Sequence, residues 1–168
     1  MTPLSPSTGT KSHISVDRFN AILKETTPLA AYLGIRAERI EVGEAWSRIA
    51  FSEAALRAGG TFSGPALMAL IDVCMYAAVL GASGDDPRAL TSNIAITFLR
   101  RAPARDLIAR CRLLNRDSDF VVGSIIVYPE DDEANAVCTS TCTYALSPRS
   151  SEAPEPRRRL NRADRIIG

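Results

Sequence analysis

From Ala66 to Ala82 the chain is apolar at every position except Asp72 and Gly81. The run opens with good helix-start chemistry. Ser63 or Gly64 can cap it, and Pro65 suits the first helical position, where its missing N–H costs nothing. Gly81 and Gly84 end it. About 18 residues at 1.5 Å each make a helix of about 27 Å. Its apolar side chains cover every face, so it predicts a helix wrapped by other elements.

The flanking patterns supply the wrapping. "SVDRFNAILKET" places Phe19, Ile22 and Leu23 at helical spacing, with Pro28 ending the run, and "LAAYLG" reads as one more turn stopped by Gly34. "IRAERIEV" and "EAWSRIAFS" flank Gly43 and Glu44 and predict a β-hairpin. "LTSNIAITFLR", "LIARCRLLNR", "DFVVGSIIVY" and "AVCTSTCTYAL" are four β-rich runs with turn signals between them. "YPEDDEANA" predicts an exposed loop between the last two. Short links imply antiparallel pairing. The predicted fold is α+β: an antiparallel sheet of about six strands around one long central helix.

Composition narrows the picture. The 168 residues are 46% hydrophobic and carry 20 basic and 19 acidic side chains, which suits one domain with a real core. Residues 1–15 hold seven Ser or Thr and two Pro, and are expected not to pack. Residues 16–148 form the predicted domain. The tail 149–168 holds six Arg against three acids and reads as a solvated, disordered extension. No aromatic residues interleave its "RRR", which argues against a nucleic-acid or membrane patch. Cys74, Cys111, Cys138 and Cys142 form no CxxC, and the one histidine, His13, lies in the leader, so no metal site is expected. The four read as buried thiols of a cytoplasmic protein. No basic-then-apolar signal opens the chain, and Asp72 interrupts a run already short for a membrane span.

The candidate chemistry centres on Asp72. An ionised carboxylate in apolar surroundings costs several kcal/mol unless paired. It can hydrogen-bond a neighbouring Ser, Thr or Arg for structure, pair across a subunit interface, or face a substrate cavity as base or nucleophile. The helix N-terminus at Gly64 offers free N–H groups and partial positive charge to a developing oxyanion. Gly64 and Asp72 are eight residues apart, about 12 Å along the axis, so they cannot both reach one carbonyl within one chain. Two antiparallel copies of the helix about a two-fold axis would set Gly64 of one chain opposite Asp72 of the other.

The stretches "SGPALMALIDVCMYAAV", "TSNIAITFLRRAPARDLIARCRLLNRDSDFVVGSIIVY" and "CTSTCTYALSP" resemble the hotdog-fold acyl-CoA thioesterases of the phenylacetate-degradation (PaaI-like) branch. The likeness spans about residues 28–148. It implies that Asp72 is the catalytic carboxylate and that the Gly64 N–H polarises the thioester carbonyl. Phe98, Leu99 and Arg100 match the family's Phe-Leu-Arg strand end. The family is dimeric or tetrameric with shared sites, so the resemblance implies a homodimer or homotetramer. Two departures stand out: Ser63 replaces the usual His, and Pro65 replaces the second Gly, leaving the oxyanion site to Gly64, with water or the Ser63 hydroxyl as helpers. One turn beyond Asp72 comes Tyr76 in place of a Ser or Thr.

Asn93 has two readings: an edge-strand amide satisfying backbone, or a donor lining the acyl pocket on the face opposite Ile94, Ile96 and Phe98. Arg100 and Arg101 are candidates for the phosphates of coenzyme A. The expected activity is hydrolysis of an acyl-CoA to the free acid and CoA. No metal or redox cofactor is implied, CoA being part of the substrate, and no nucleic-acid or membrane partner is expected. The alternative is a non-catalytic acyl-CoA-binding or regulatory hotdog protein. An enoyl-CoA hydratase on the same fold needs a His beside the carboxylate, and none is available.

Overall fold

In the computed structural model, which describes residues 11–84, 89–117 and 119–146, the apolar run is a single helix, α3 (Gly64–Ser83). Ser63 is its N-cap, and Ser63 Oγ accepts from the Ala66 N–H at 3.3 Å. Gly64 therefore takes the first helical position and Pro65 the second, one later than the sequence suggests. The shift costs nothing, because the first four helical N–H groups have no intrahelical partner. Gly84 (φ 81°) ends the helix, its N–H donating to Leu80 O at 2.8 Å.

Six strands wrap α3: β1 (Ile35–Glu41), β2 (Glu44–Ile49), β5 (Ala89–Phe98), β6 (Leu107–Arg116), β7 (Phe120–Pro129) and β8 (Cys138–Leu146). They form one antiparallel sheet in the order β1-β2-β6-β7-β8-β5. Alternation assigns the faces. Ala45, Ser47 and Ile49 of β2, Cys111 and Leu113 of β6, and Val121, Ile125 and Val127 of β7 are buried toward the helix. Glu44, Trp46, Arg48 and Arg110 stand on the outer face. There Arg48 is held by Glu38, Asp106 and Glu130, and Arg110 by Glu44 and Glu133.

Between β2 and α3 runs a two-stranded ribbon that the hydrophobic pattern does not reveal, β3 (Leu56–Arg57) and β4 (Thr61–Phe62). Its turn needs Gly59 and Gly60, both at positive φ (94° and 68°). Ahead of the sheet, Ser15 caps α1 (Val16–Thr26), which buries Phe19, Ile22 and Leu23, and α2 (Pro28–Tyr32) follows. Both helices pack on β1, and α2 also reaches α3.

The expectation that residues 1–15 stay out of the core fails at its last residues. Ile14 is buried, and the His13 N–H donates to Gly81 O at 3.0 Å. Residues 1–10 and the basic tail lie outside the described residues.

α3 is long and apolar enough to cross a membrane, yet 67% of its apolar window is buried inside the protein. It packs chiefly on β1, β2 and β6. One stripe remains less covered: Pro65, Met68, Ala69, Asp72 and Tyr76, spaced as one helical face. The charge in the middle of the helix lies on that stripe.

The far end of α3 crosses β1 so closely that a side chain at Gly81 would meet main chain. A Cβ there would lie 2.6 Å from Glu41 O and 2.7 Å from Ile40 Cγ2. Replacing a helical Gly by Ala ordinarily gains about 1 kcal/mol. At this position the overlap wins, and Gly81→Ala is expected to destabilise the fold by about 2 kcal/mol net. Denaturant titration of the two proteins checks this.

Candidate active site

Asp72 is half-buried on the open stripe of α3. Thr91 Oγ1 donates to Asp72 Oδ1 at 2.7 Å, and the Tyr144 hydroxyl reaches the same oxygen at 2.6 Å. The Tyr144 oxygen also lies 3.0 Å from the Asp72 main-chain oxygen, but one phenolic proton serves both contacts, and the shorter one takes it. Among the described residues no hydrogen bond is made to Oδ2. The carboxylate faces an apolar hollow of about 370 Å³ walled by Leu29, Ala30, Pro65, Met68, Val73 and Ile94. A smaller hollow on its other side is bounded by Leu23, Tyr76, Leu90 and Tyr144.

Thr91 reaches Asp72 because β5 is irregular. Thr91 pairs with Tyr144 and Asn93 with Thr143, so Ser92 is an extra residue between them. Ile94 and Ile96, opposite the inward-facing Cys142 and Ser140, share the inner face. In a regular strand Thr91 would point the other way from Ile94. The bulge turns it onto the same face.

Gly64 borders a different hollow, of about 590 Å³, with Phe98, Arg57, Arg100 and Arg101 among its walls. Arg101 Nη2 bonds Gly59 O, Arg100 Nη1 bonds Asn135 Oδ1, and Thr61 Oγ1 donates to Ala102 O at 3.0 Å. No acidic side chain is among the lining residues, and none of the three arginines is ion-paired among the described residues. The outer-face arginines, by contrast, are neutralised. At the helix terminus the donors can be counted. The Ala66 N–H goes to Ser63 Oγ, the Leu67 N–H to Ser63 O, and Pro65 has none. Gly64 alone keeps an N–H with no hydrogen bond among the described residues.

The sequence-derived residues thus fall into two groups. Gly64, Arg100 and Arg101 line one hollow, with Ser63 capping the helix that opens onto it; Asp72 and Pro65 line the other. Within one chain the two do not merge. The Tyr76 ring packs between Phe19 (5.6 Å) and Tyr144 (6.5 Å). Asn93 is exposed on the edge strand β5, on the face away from Ile94, and lines neither hollow. Sequence reasoning missed Arg57, Thr91 and Tyr144. Tyr144 carries a signal in the alternation of "CTSTCTYAL", whose inward positions include it. Thr91 depends on the bulge, and Arg57 on a two-residue strand.

A helix enclosed by a six-stranded antiparallel sheet, with a lone carboxylate on its open stripe, defines a hotdog fold of the thioesterase kind. Residues 59–136 match the family model described as the thioesterase superfamily. A candidate thioesterase from Silicibacter sp. is 34% identical, with a TM-score of 0.73 over 82% of this chain and 95% of that one. The chain belongs to the thioesterase superfamily. A thioesterase from Haemophilus influenzae (15% identity, TM-score 0.72, covering 83% and 96%) shares the fold. So does the phenylacetic acid degradation protein PaaI from Thermus thermophilus (22%, TM-score 0.63, 71% and 99%). No curated protein matches the sequence.

The four cysteines offer no competing nucleophile. All are buried and free. Burial pushes the Cys74 thiol up to about 12, and those of Cys138 and Cys142 to about 11. Burial also holds Cys111 well above the ordinary thiol value. Thiolate is the reactive form, so the folded protein carries little of it at pH 8. The folded-state values exceed the unfolded ones, so the thiols favour the fold below the ordinary thiol range, and that contribution is lost as pH rises beyond it. A disulfide-exchange reagent at pH 8 is expected to titrate no thiol in the native protein and four after denaturation.

Proposed function

We propose that the chain is an acyl-CoA thioesterase of the phenylacetate-degradation (PaaI-like) type, acting as a homodimer or homotetramer. The observation that carries this reading is the setting of Asp72. Among the described residues its carboxylate is held through Oδ1 alone, beside an apolar hollow suited to an uncharged acyl group. A carboxylate kept there for packing would cost folding free energy without return.

In this reading the thioester carbonyl binds at the N-terminus of one protomer's α3, and Asp72 comes from the other. Asp72 takes a proton from an attacking water, or itself attacks the carbonyl carbon to give an anhydride that water then cleaves. The carbonyl π electrons move onto oxygen, where the Gly64 N–H stabilises the negative charge. Collapse of the tetrahedral species breaks the C–S bond and releases CoA as thiolate, which gains a proton. Support for the shared site comes from the separation of the two hollows and from the exposed edge strand β5, which leaves Leu90 and Phe98 uncovered. Arg57, Arg100 and Arg101 suit the CoA phosphates, since guanidinium forks match phosphate oxygens.

Turnover against a panel of short, medium and aromatic acyl-CoAs tests the proposal. Asp72→Asn keeps shape and leaves Oδ1 able to accept from Thr91 and Tyr144. Turnover is expected to fall by about 10²-fold or more, about 2.7 kcal/mol in barrier, at an unchanged or raised melting temperature. Unchanged turnover per folded molecule would remove Asp72 from the chemistry, and tight binding without turnover across the panel would make the chain a binding protein. Replacing Arg57, Arg100 and Arg101 together by Ala is expected to raise KM for acyl-CoA by about tenfold or more. The same variant should leave hydrolysis of a short thioester lacking the nucleotide unaffected, which a side-by-side KM measurement checks.

A further inference from the structure

We infer that Tyr144 is a positioning residue for Asp72, fixing which carboxylate oxygen faces the substrate; this rests on the thioesterase reading above. Tyr144 lies on the inner face of β8, 3% exposed, its ring stacked on Tyr76, which in turn contacts the buried Phe19 of α1. That packing allows the ring little freedom, so the hydroxyl is delivered to one point, 2.6 Å from Oδ1. Thr91 reaches the same atom at 2.7 Å, but with a short side chain that can rotate on an exposed edge strand. With both donors on Oδ1, that oxygen has few lone-pair directions left, and Oδ2 is the atom able to take a proton or attack.

The groups facing Asp72 let the phenol keep this role across the working range. From its own helix comes Tyr76, and from β8 Tyr144, with the Cys142 thiol behind it. The polar residues that α1, α2, β5 and the α1–α2 junction bring to the two hollows are Thr26, Thr27 and Thr91, all neutral. Burial, followed by the neighbouring Asp72 charge, raises the Tyr144 hydroxyl far above the ordinary phenol value, so it remains a donor at every pH where activity is measured.

The test compares wild type, Asp72→Asn, Tyr144→Phe and a protein with 3-fluorotyrosine at 144. Phe keeps the ring in its stack and removes only the hydroxyl. Expected for Tyr144→Phe are a kcat lower by about 10- to 100-fold, a KM within about twofold, and an acid limb of the kcat/KM profile moved to higher pH. The carboxylate has then lost a donor that favours its charged form. Fluorotyrosine, a stronger donor, should keep kcat near wild type and move the acid limb the other way, a reading that survives even where the Phe variant fails to fold. An inactive Asp72→Asn beside a Tyr144→Phe with wild-type kcat per folded molecule and an unmoved acid limb would overturn the role of Tyr144 alone. An acid limb indifferent to fluorination would do the same. A fully active Asp72→Asn would overturn the catalytic reading and this inference together.

Discussion

A helix that is apolar on nearly every face can exist in water only if something else encloses it, and the rest of this structure follows from enclosing α3. Fully burying side chains such as Leu70, Ile71, Met75 and Leu80 stabilises by about 1.5–3 kcal/mol each. A few of them together offset the cost of one half-buried carboxylate. Close approach is built in where it is needed. Met75 Sδ lies 2.6 Å from where a Cβ at Gly123 would be, and the end of α3 abuts the main chain of β1 at Gly81. The six strands cover the helix chiefly from the β1 side of the sheet. What they leave open is the stripe that carries Asp72, so the enclosure itself selects where polar chemistry can be placed.

The fold was legible because its signals are local. Alternation in β6, β7 and β8 and the unbroken apolar run of α3 each lie within a few neighbouring residues, and the strands fall where the pattern put them. Signals that are not local were lost. The ribbon β3–β4 has two residues a strand, too few to show a period. Ile14 is a single apolar residue in a Ser/Thr-rich context, and only the approach of Gly81 shows why it is buried. The partners of Asp72 lie 19 and 72 residues away, one of them turned inward by a bulge that alternation hides. The position of the carboxylate could be read from one helix; its hydrogen bonds required the sheet.

Charge is sorted between the two faces of the molecule in a way that bears on the proposed substrate. On the outer face Arg110 sits between two carboxylates and Arg48 among three, and the Arg48 guanidinium is held firmly charged by those bonds. Around the Gly64 hollow three arginines meet main-chain and amide oxygens or open space instead. A cluster of like charges without counter-charges is unfavourable in the free protein unless an anion completes it. A multiply phosphorylated carrier fits that requirement better than a neutral thioester does.

The departures from the family pattern at residues 63 and 65 can then be weighed by counting donors. Ser63 uses oxygen lone pairs, side-chain and main-chain, to satisfy Ala66 and Leu67, which leaves its own O–H proton free to donate outward. Pro65 removes a donor at the second helical position and in exchange fixes φ for the first turn. One N–H is left without a hydrogen bond among the described residues of the helix start, that of Gly64, at the positive end of a 20-residue helix dipole, and it is the donor that the proposed oxyanion would use. A side chain at Gly64 would sit 3.5 Å from the Phe98 ring, an ordinary contact, so packing alone does not demand glycine there. What glycine does secure is an unshielded approach to that N–H, the property that a thioester carbonyl would require under the proposed mechanism.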